Sequence, residues 1–346
     1  MLIPLSQDNK VIIEKIRQGG LLEDHVQRCF DNIAGIENIF RNKKILIKPN
    51  IARAMPFPYS TSPLLIEAII KSALKYNPKE IYIGEGSGEP NVKQGMQSSH
   101  VVNKYSQQMF EELGYADIAA KYNARLIDLN FGPFETVEVP NPIVHKYFIV
   151  NSVLTNIDTL ITVPIFKSQD FSVMTLNLKS LMGMLPCYVY GFPRYIIHHI
   201  TPKSRIARTH IDICKALPIT LSIIDALHGL CLEPVKKPLG CIVAGRNPAS
   251  VDSVGAMMAG FNPYSLPHLR LAEKEKIGIV DPACLDITGR IDEVKQEFDY
   301  PNFLFNTKWG RMVLPIQLYG INNNSKLLKN RAFRLLYYFL LKNKIY

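Results

Sequence analysis

Lys44-Ile-Leu-Ile-Lys48 and Glu80-Ile-Tyr-Ile-Gly84 are two short β-branched runs. Between them, Ser62 to Tyr76 repeats apolar residues at helical spacing, with Leu65, Ile66, Ile69, Ile70 and Ala73 on one stripe. Strand, helix and strand in that order make a β-α-β unit, whose two strands run parallel. The alternation continues along the chain. Strands are expected at Arg125 to Asp128, Thr136 to Val139, Phe148 to Val150, Thr159 to Val163, Thr220 to Ile224 and Gly240 to Ala244. Helices are expected at Tyr105 to Tyr122, Ser172 to Met182, Pro248 to Ala259 and Leu266 to Ile277. The fold class that follows is α/β, a mostly parallel central sheet with helices on both faces, joined by right-handed crossovers.

A chain of 346 residues, 47% of them hydrophobic, has the material for a substantial core. No apolar run reaches the roughly 20 residues that span a bilayer, and Met1 to Lys10 lacks the pattern of a secretory signal. A cytoplasmic protein is expected, with contact to a membrane surface left open. The cysteines, Cys29, Cys187, Cys214, Cys231, Cys241 and Cys284, are scattered without a Cys-x-x-Cys, the pattern of buried reduced thiols. Neither a metal site nor an iron–sulfur cluster is expected, and no cofactor is indicated. His198 and His199 are adjacent, and neighbours on a strand point to opposite faces, a poor clamp for a metal.

The net charge of +10 is unevenly distributed. No acid follows Asp299, whereas Lys308, Arg311, Lys326, Lys329, Arg331, Arg334, Lys342 and Lys344 do, and these eight charges leave +2 for the rest. The expected organisation is an N-terminal helical extension over 1–40, a main domain over 41–299 and a basic tail over 300–346. Within the tail, Ser325 to Asn343 reads as a basic amphipathic helix, with an unbroken apolar and aromatic run from Leu335 to Leu341. Two readings fit residues 325–346: shallow insertion into an anionic membrane surface, or docking on the body or on a protein partner. Nucleic acid is a poorer partner, because no reader motif accompanies the basic charge.

Lysines and acids stand among core residues at several strand ends, where burial is costly unless they are paired or face a cleft. Lys48-Pro49-Asn50 ends the first strand, and an exposed edge lysine is the plain alternative to a site. Thr61-Ser62-Pro63 opens a helix, which suits a capping role for Ser62 and leaves Thr61 to face a ligand as well. Gly84-Glu85-Gly86-Ser87-Gly88 follows a strand, but Pro90 and Asn91 stand where a dinucleotide fingerprint would enter its helix. The glycines suit either an anion held by backbone amides or a plain tight turn that displays Glu85 and Ser87.

Lys167 follows the apolar strand Ile161 to Phe166. Asp170 can cap a helix starting near Ser172, and Ser172, Thr175 and Lys179 would then share one helical face, turned to an anionic ligand or to solvent. Asp225 ends a strand three residues before His228. Asp252 falls in the second turn of a helix opened by Asn247-Pro248, where the dipole alone would favour it. In an open α/β sheet ligands gather beyond the carboxyl ends of the strands, where Lys48, Glu85, Lys167 and Asp225 all project.

Taken in order, these segments resemble the family called domain of unknown function 362. The resemblance runs through Lys48-Pro-Asn50, Thr61-Ser-Pro63, Gly84 to Gly88, Val163 to Lys167, Leu176-Asn-Leu-Lys179-Ser-Leu-Met-Gly183, Ile224-Asp225-Ala226 and Ala244 to Asp252. It continues into Gly260-Phe-Asn-Pro263 and Leu271 to Gly278, so it spans about residues 40 to 290. It implies an α/β fold and brings no settled reaction. Many members carry an appended ferredoxin-type segment that suggests redox work, and this chain has no matching cysteine cluster. It departs further at Lys167-Ser168-Gln169, where Lys-Thr-His is usual, at Ser180, where Asn is usual, and at Glu85, where Asp is common.

The functional expectation is an enzyme for a small anionic metabolite, carboxylate or phosphate. Lys48, Asn50, Thr61, Ser87, Lys167, Thr175 and Lys179 would bind it, and Asp225, Asp252 and Glu85 would handle protons. Proton transfer fits this set, as does reduction with an external electron carrier. The rival is a binding or scaffold protein without catalysis, held at a membrane by its tail.

Overall fold

The computed structural model describes residues 2–51, 54–87, 108–169, 172–191, 194, 197, 203–230 and 236–298. Its central sheet has twelve labelled strands, less the pair β5–β6: β1 (Lys10–Lys15), β2 (Lys44–Pro49), β3 (Glu80–Glu85), β4 (Arg125–Asp128), β5 (Phe134–Glu138), β6 (Tyr147–Asn151), β7 (Thr159–Val163), β8 (Ile165–Gln169), β9 (Val173–Thr175), β10 (Leu221–Leu230), β11 (Lys236–Gly245) and β12 (Asp286–Thr288). The order across the sheet is β12-β1-β11-β10-β7-β2-β3-β4, with β8 alongside β10 and β9 alongside β8, while β5 and β6 form a separate hairpin. Strands β7, β2, β3 and β4 run parallel to one another and to β10, and antiparallel pairing within the central sheet is confined, among the described residues, to β1–β11, β10–β11 and β8–β9. The mostly parallel α/β architecture expected from the sequence is the one observed.

Alternation along the strands divides the core into two layers. Ile45, Ile47, Ile81, Ile83, Ile161, Val163, Leu221 and Ile223 join one apolar cluster with residues of the helices Leu22–Asp31, Pro63–Leu74 and Tyr115–Lys121. The intervening residues turn to the other face, where Thr162 bonds Asn177 and Ile224 meets the helix Pro248–Met258. A Cβ on Gly255 would come within 3.1 Å of Ile224 Cδ1 and 3.2 Å of Leu176, so glycine lets this helix lie close to the sheet. Asn247 caps it as expected, accepting from the N–H groups of Ala249 and Ser250 at 2.9 and 3.1 Å.

Four local expectations change. The segment 1–40 is not a helical extension: Lys10–Lys15 is a strand of the main sheet, antiparallel to β11, and residues 1–299 cluster as one unit. The helix expected over 172–182 is instead strand β9, a short helix Asn177–Ser180 and a 3₁₀ turn Leu181–Met184. Strand β8 offers an edge that Val173–Thr175 pairs with, and Asp252 takes the first N–H groups of the new helix, which therefore starts at Asn177. Gly114, at φ +80°, opens the helix Tyr115–Lys121 partway through the longer one expected. The Ser62 hydroxyl makes no capping bond; the Ser62 N–H goes to Asp225 instead. The basic C-terminal helix expected over 325–346, together with Asp170, Cys231, His198 and His199, lies outside the described residues. Among the described residues no helix is long and apolar enough to cross a membrane.

Candidate functional site

Parallel pairing brings the carboxyl ends of β2, β3 and β7 level with one another: Lys48 is opposite Thr162, Pro49 opposite Val163, and Glu85 pairs with Asp128 on β4. Lys48 and Glu85 meet there in a buried ion pair of 2.8 Å, their side chains 0% and 2% exposed. The Lys48 ammonium also donates to its neighbour Pro49 O at 3.2 Å. Glu85 Oε1 accepts a second bond from Gly86 N at 2.9 Å, and Oε2 accepts from Ile51 N at 3.0 Å. The carboxylate therefore fastens the loops after β2 and β3 to each other. Burial pushes Lys48 below the usual lysine range, and Glu85 pulls it back.

The turn Leu181–Met184 covers this pair without side-chain bulk. A Cβ on Gly183 would fall 2.2 Å from Glu85 Oε1 and 2.6 Å from Lys48 Nζ, so only glycine fits. One helical turn earlier in the chain stands Lys179, partly exposed. Its amine is pushed down to about 7, by burial first, then by the cations Lys167, Lys48 and Arg194, with Glu85 acting the other way. Three cationic side chains and Glu85 thus share the neighbourhood of Lys179.

Arg194 is the member that sequence reasoning missed. It is buried, and its guanidinium donates to Leu185 O at 2.7 Å, Gly86 O at 2.6 Å and Gly183 O at 3.3 Å, tying the glycine turn of β3 to the covering 3₁₀ turn. Its backbone sits at φ +65°. It lies in the Pro- and aromatic-rich stretch from Pro186 to Pro202, where neither a strand nor a helix period singles out a residue. Ser87 is buried nearby, its carbonyl held by Asn130 Nδ2 at 3.0 Å.

Lys167 and Thr175 are direct partners in the β8–β9 ribbon, so their side chains leave the same face. This places them together by strand pairing, not by the helical stripe expected. Thr175 is fully buried, and among the described residues its hydroxyl has no hydrogen-bond partner; the buried Asn50 side-chain oxygen likewise has none. Buried polar atoms without a partner call for an explanation, and a bound ligand or water is one. Val173, a β-branched residue at φ +67°, forms the strained start of β9.

Asp225, Asn50 and Thr61 form a seam beside the cationic group. Thr61 Oγ1 accepts from Asn50 N at 2.8 Å and donates to Val163 O at 2.6 Å. Asp225 is wholly buried and accepts from Ser62 N at 2.7 Å and Leu227 N at 3.3 Å. Burial raises its carboxyl to about 6 against those two bonds. His228 packs edge-on against Phe57, and no hydrogen bond joins it to Asp225 among the described residues. The Tyr115 hydroxyl donates to Thr61 O at 2.5 Å and is held well above its ordinary range by burial, then by Asp225 and Glu85.

Asp252 stands behind the short helix. Its Oδ1 accepts from Asn177 N at 2.8 Å and Asn177 Nδ2 at 2.7 Å, and its Oδ2 accepts from Leu178 N at 2.9 Å. Burial nonetheless raises the carboxyl to about 7. In this geometry Asp252 positions the helix that carries Lys179. Among the described residues no group of three or more His, Cys, Asp and Glu is placed to hold a metal ion. Cys284 is exposed, unlike Cys29, Cys187, Cys214 and Cys241.

Fold and site together define an α/β protein with a cationic polar cluster at the rim of a parallel sheet. The model of the family described as Domain of unknown function (DUF362) matches residues 45–257, more than half of the chain, and the chain belongs to that family. No curated protein is detectably similar to it. Among solved structures it is similar to a structural-genomics target from Thermotoga maritima, at 13% identity and TM-score 0.43, with 69% of this chain and 59% of that one covered. It is also similar to the lactate racemase apoprotein from Thermoanaerobacterium thermosaccharolyticum, at 13% identity and TM-score 0.44, with 74% and 59% covered. The chain thus spans less than two thirds of the length of either.

Proposed function

We propose that the protein is an enzyme that binds a small carboxylate- or phosphate-bearing metabolite at this rim and acts on it by proton transfer. The observation that carries the reading is the gathering of Lys48, Lys167, Arg194 and Glu85 about Lys179, at the carboxyl ends of parallel strands. The open Thr175 hydroxyl beside Lys167 supplies a neutral donor for the same anion. All three acids expected to move protons have both oxygens engaged by hydrogen bonds, Asp225 by two and Glu85 and Asp252 by three each, so Asp225 is the least restrained. Asp225, raised to about 6, and Lys179, lowered to about 7, are the groups poised for exchange near neutral pH. Calorimetric titration with a panel of small carboxylates and phosphate tests the proposal. Binding should weaken about tenfold, or roughly 1.4 kcal/mol, in Lys167→Ala and in Lys179→Met. Equal affinity in both variants and the parent would overturn it.

A further inference from the structure

Within the cationic cluster, the four side chains are not equivalent. Lys48 is neutralised by Glu85 at 2.8 Å and covered by Gly183. Arg194 is committed to three backbone carbonyls. Lys179 enters no ion pair among the described residues, is partly exposed, and has the cations Lys167, Lys48 and Arg194 for neighbours. Its backbone is held firmly: Asp252 grips the N–H groups of Asn177 and Leu178, and the Ser180 hydroxyl donates to Asn177 O at 2.7 Å. A fixed, reachable amine crowded by cations is the arrangement that turns a lysine from a charge into a nucleophile.

We infer that Lys179 attacks the carbonyl carbon of an oxo acid, whose carboxylate is held by Lys167 and the Thr175 hydroxyl, and forms an imine with it. This inference rests on the anion-site reading and narrows its ligand to a molecule with a carbonyl near an acidic group. The neutral amine, accessible because its pKa is lowered to about 7, adds through its lone pair to the carbonyl carbon. The carbonyl oxygen gains two protons from the nitrogen and solvent and leaves as water. The product is a protonated C=N bond, with no change in oxidation state. That cationic imine then accepts the electron pair of an adjacent C–H bond as its proton departs.

Reductive trapping tests this. The full chain is incubated with pyruvate or 2-oxoglutarate and sodium cyanoborohydride, and the modified lysines are mapped by mass spectrometry. Adduct on Lys179 should form roughly tenfold or more faster than on surface lysines at pH 7.5, because its neutral fraction is far larger. Labelling at that position should be absent in Lys179→Arg, which removes the amine and leaves Lys167 and Thr175 in place to hold the carboxylate. If calorimetry shows oxo-acid binding that depends on Lys167 and yet no adduct accumulates on Lys179, the imine is overturned and the anion site stands. If the oxo acids do not bind at all and Lys167→Ala behaves as the parent does, both readings fall.

Discussion

Asp252 and Lys179 are joined through one short helix, yet their surroundings are opposites. Around Asp252 every oxygen meets a donor, with three hydrogen bonds between 2.7 and 2.9 Å. Around Lys179 three cations outnumber Glu85, and among the described residues the nearby Thr175 hydroxyl has no partner. A buried polar group that is fully satisfied holds the fold together, whereas like charges crowded about one amine are stable only because the fold around them is. The same contrast separates Asp212, which accepts from the N–H groups of Ile143, Val144 and His145, from the rim of β2 and β3.

The sharpest way to break this comparison is to remove a satisfied partner. Lys48→Met leaves Glu85 charged and buried without its cation, and should cost about 3–5 kcal/mol in urea unfolding. Asp252→Ala orphans Asn177 N, its amide nitrogen and Leu178 N, and should cost roughly 3 kcal/mol by the same measurement. It should also weaken anion binding, because the helix bearing Lys179 loses its anchor. Lys179→Met should not lower stability and should raise it near pH 7, since no ion pair among the described residues is lost and the cost of holding an amine among cations is removed, while anion affinity drops. A large stability loss in that variant would place Lys179 with the structural groups.

The smallest signal per step is the pH dependence of stability. Asp252 in the folded chain holds its proton up to about 7, against an ordinary value of 3.8, so the folded state binds more protons than the unfolded state between those limits. The resulting stabilisation is full below about pH 4 and is lost as the pH rises towards 7, with a slope of at most about 1.4 kcal/mol per pH unit. Asp225 adds the same sign up to about 6. Lys179, lowered to about 7, works oppositely: the unfolded chain binds more protons above that point, so stability rises with pH from about 7 to 10. Asp252→Asn should flatten the acid side of the urea-midpoint profile and leave the alkaline rise intact.

The parallel half of the fold was legible because β2, β3, β7 and the start of β10 are apolar β-branched runs separated by a strongly periodic helix. Strand β1 was not, because only Val11, Ile12 and Ile13 are apolar between polar neighbours, too short a run to display a period. The stretch from Ser172 to Met182 has helical spacing, yet β9 forms there: the free edge of β8 and the carboxylate of Asp252, distant in sequence, override the local pattern. Lys48, Glu85, Lys167 and Lys179 were each visible as charges among apolar residues, and the sheet topology brings them together. Arg194 was invisible, since its role depends on carbonyls of Gly86, Gly183 and Leu185 that converge only after folding.

The most direct test is an NMR titration of the protein labelled with carbon-13 at the lysine Cε positions. The account predicts one lysine, assigned by its loss in Lys179→Arg, that titrates near 7 in the free protein and shifts upward when a small carboxylate is added at saturation. Every lysine titrating near the ordinary value of about 10.4, with no response to the anion, would contradict it.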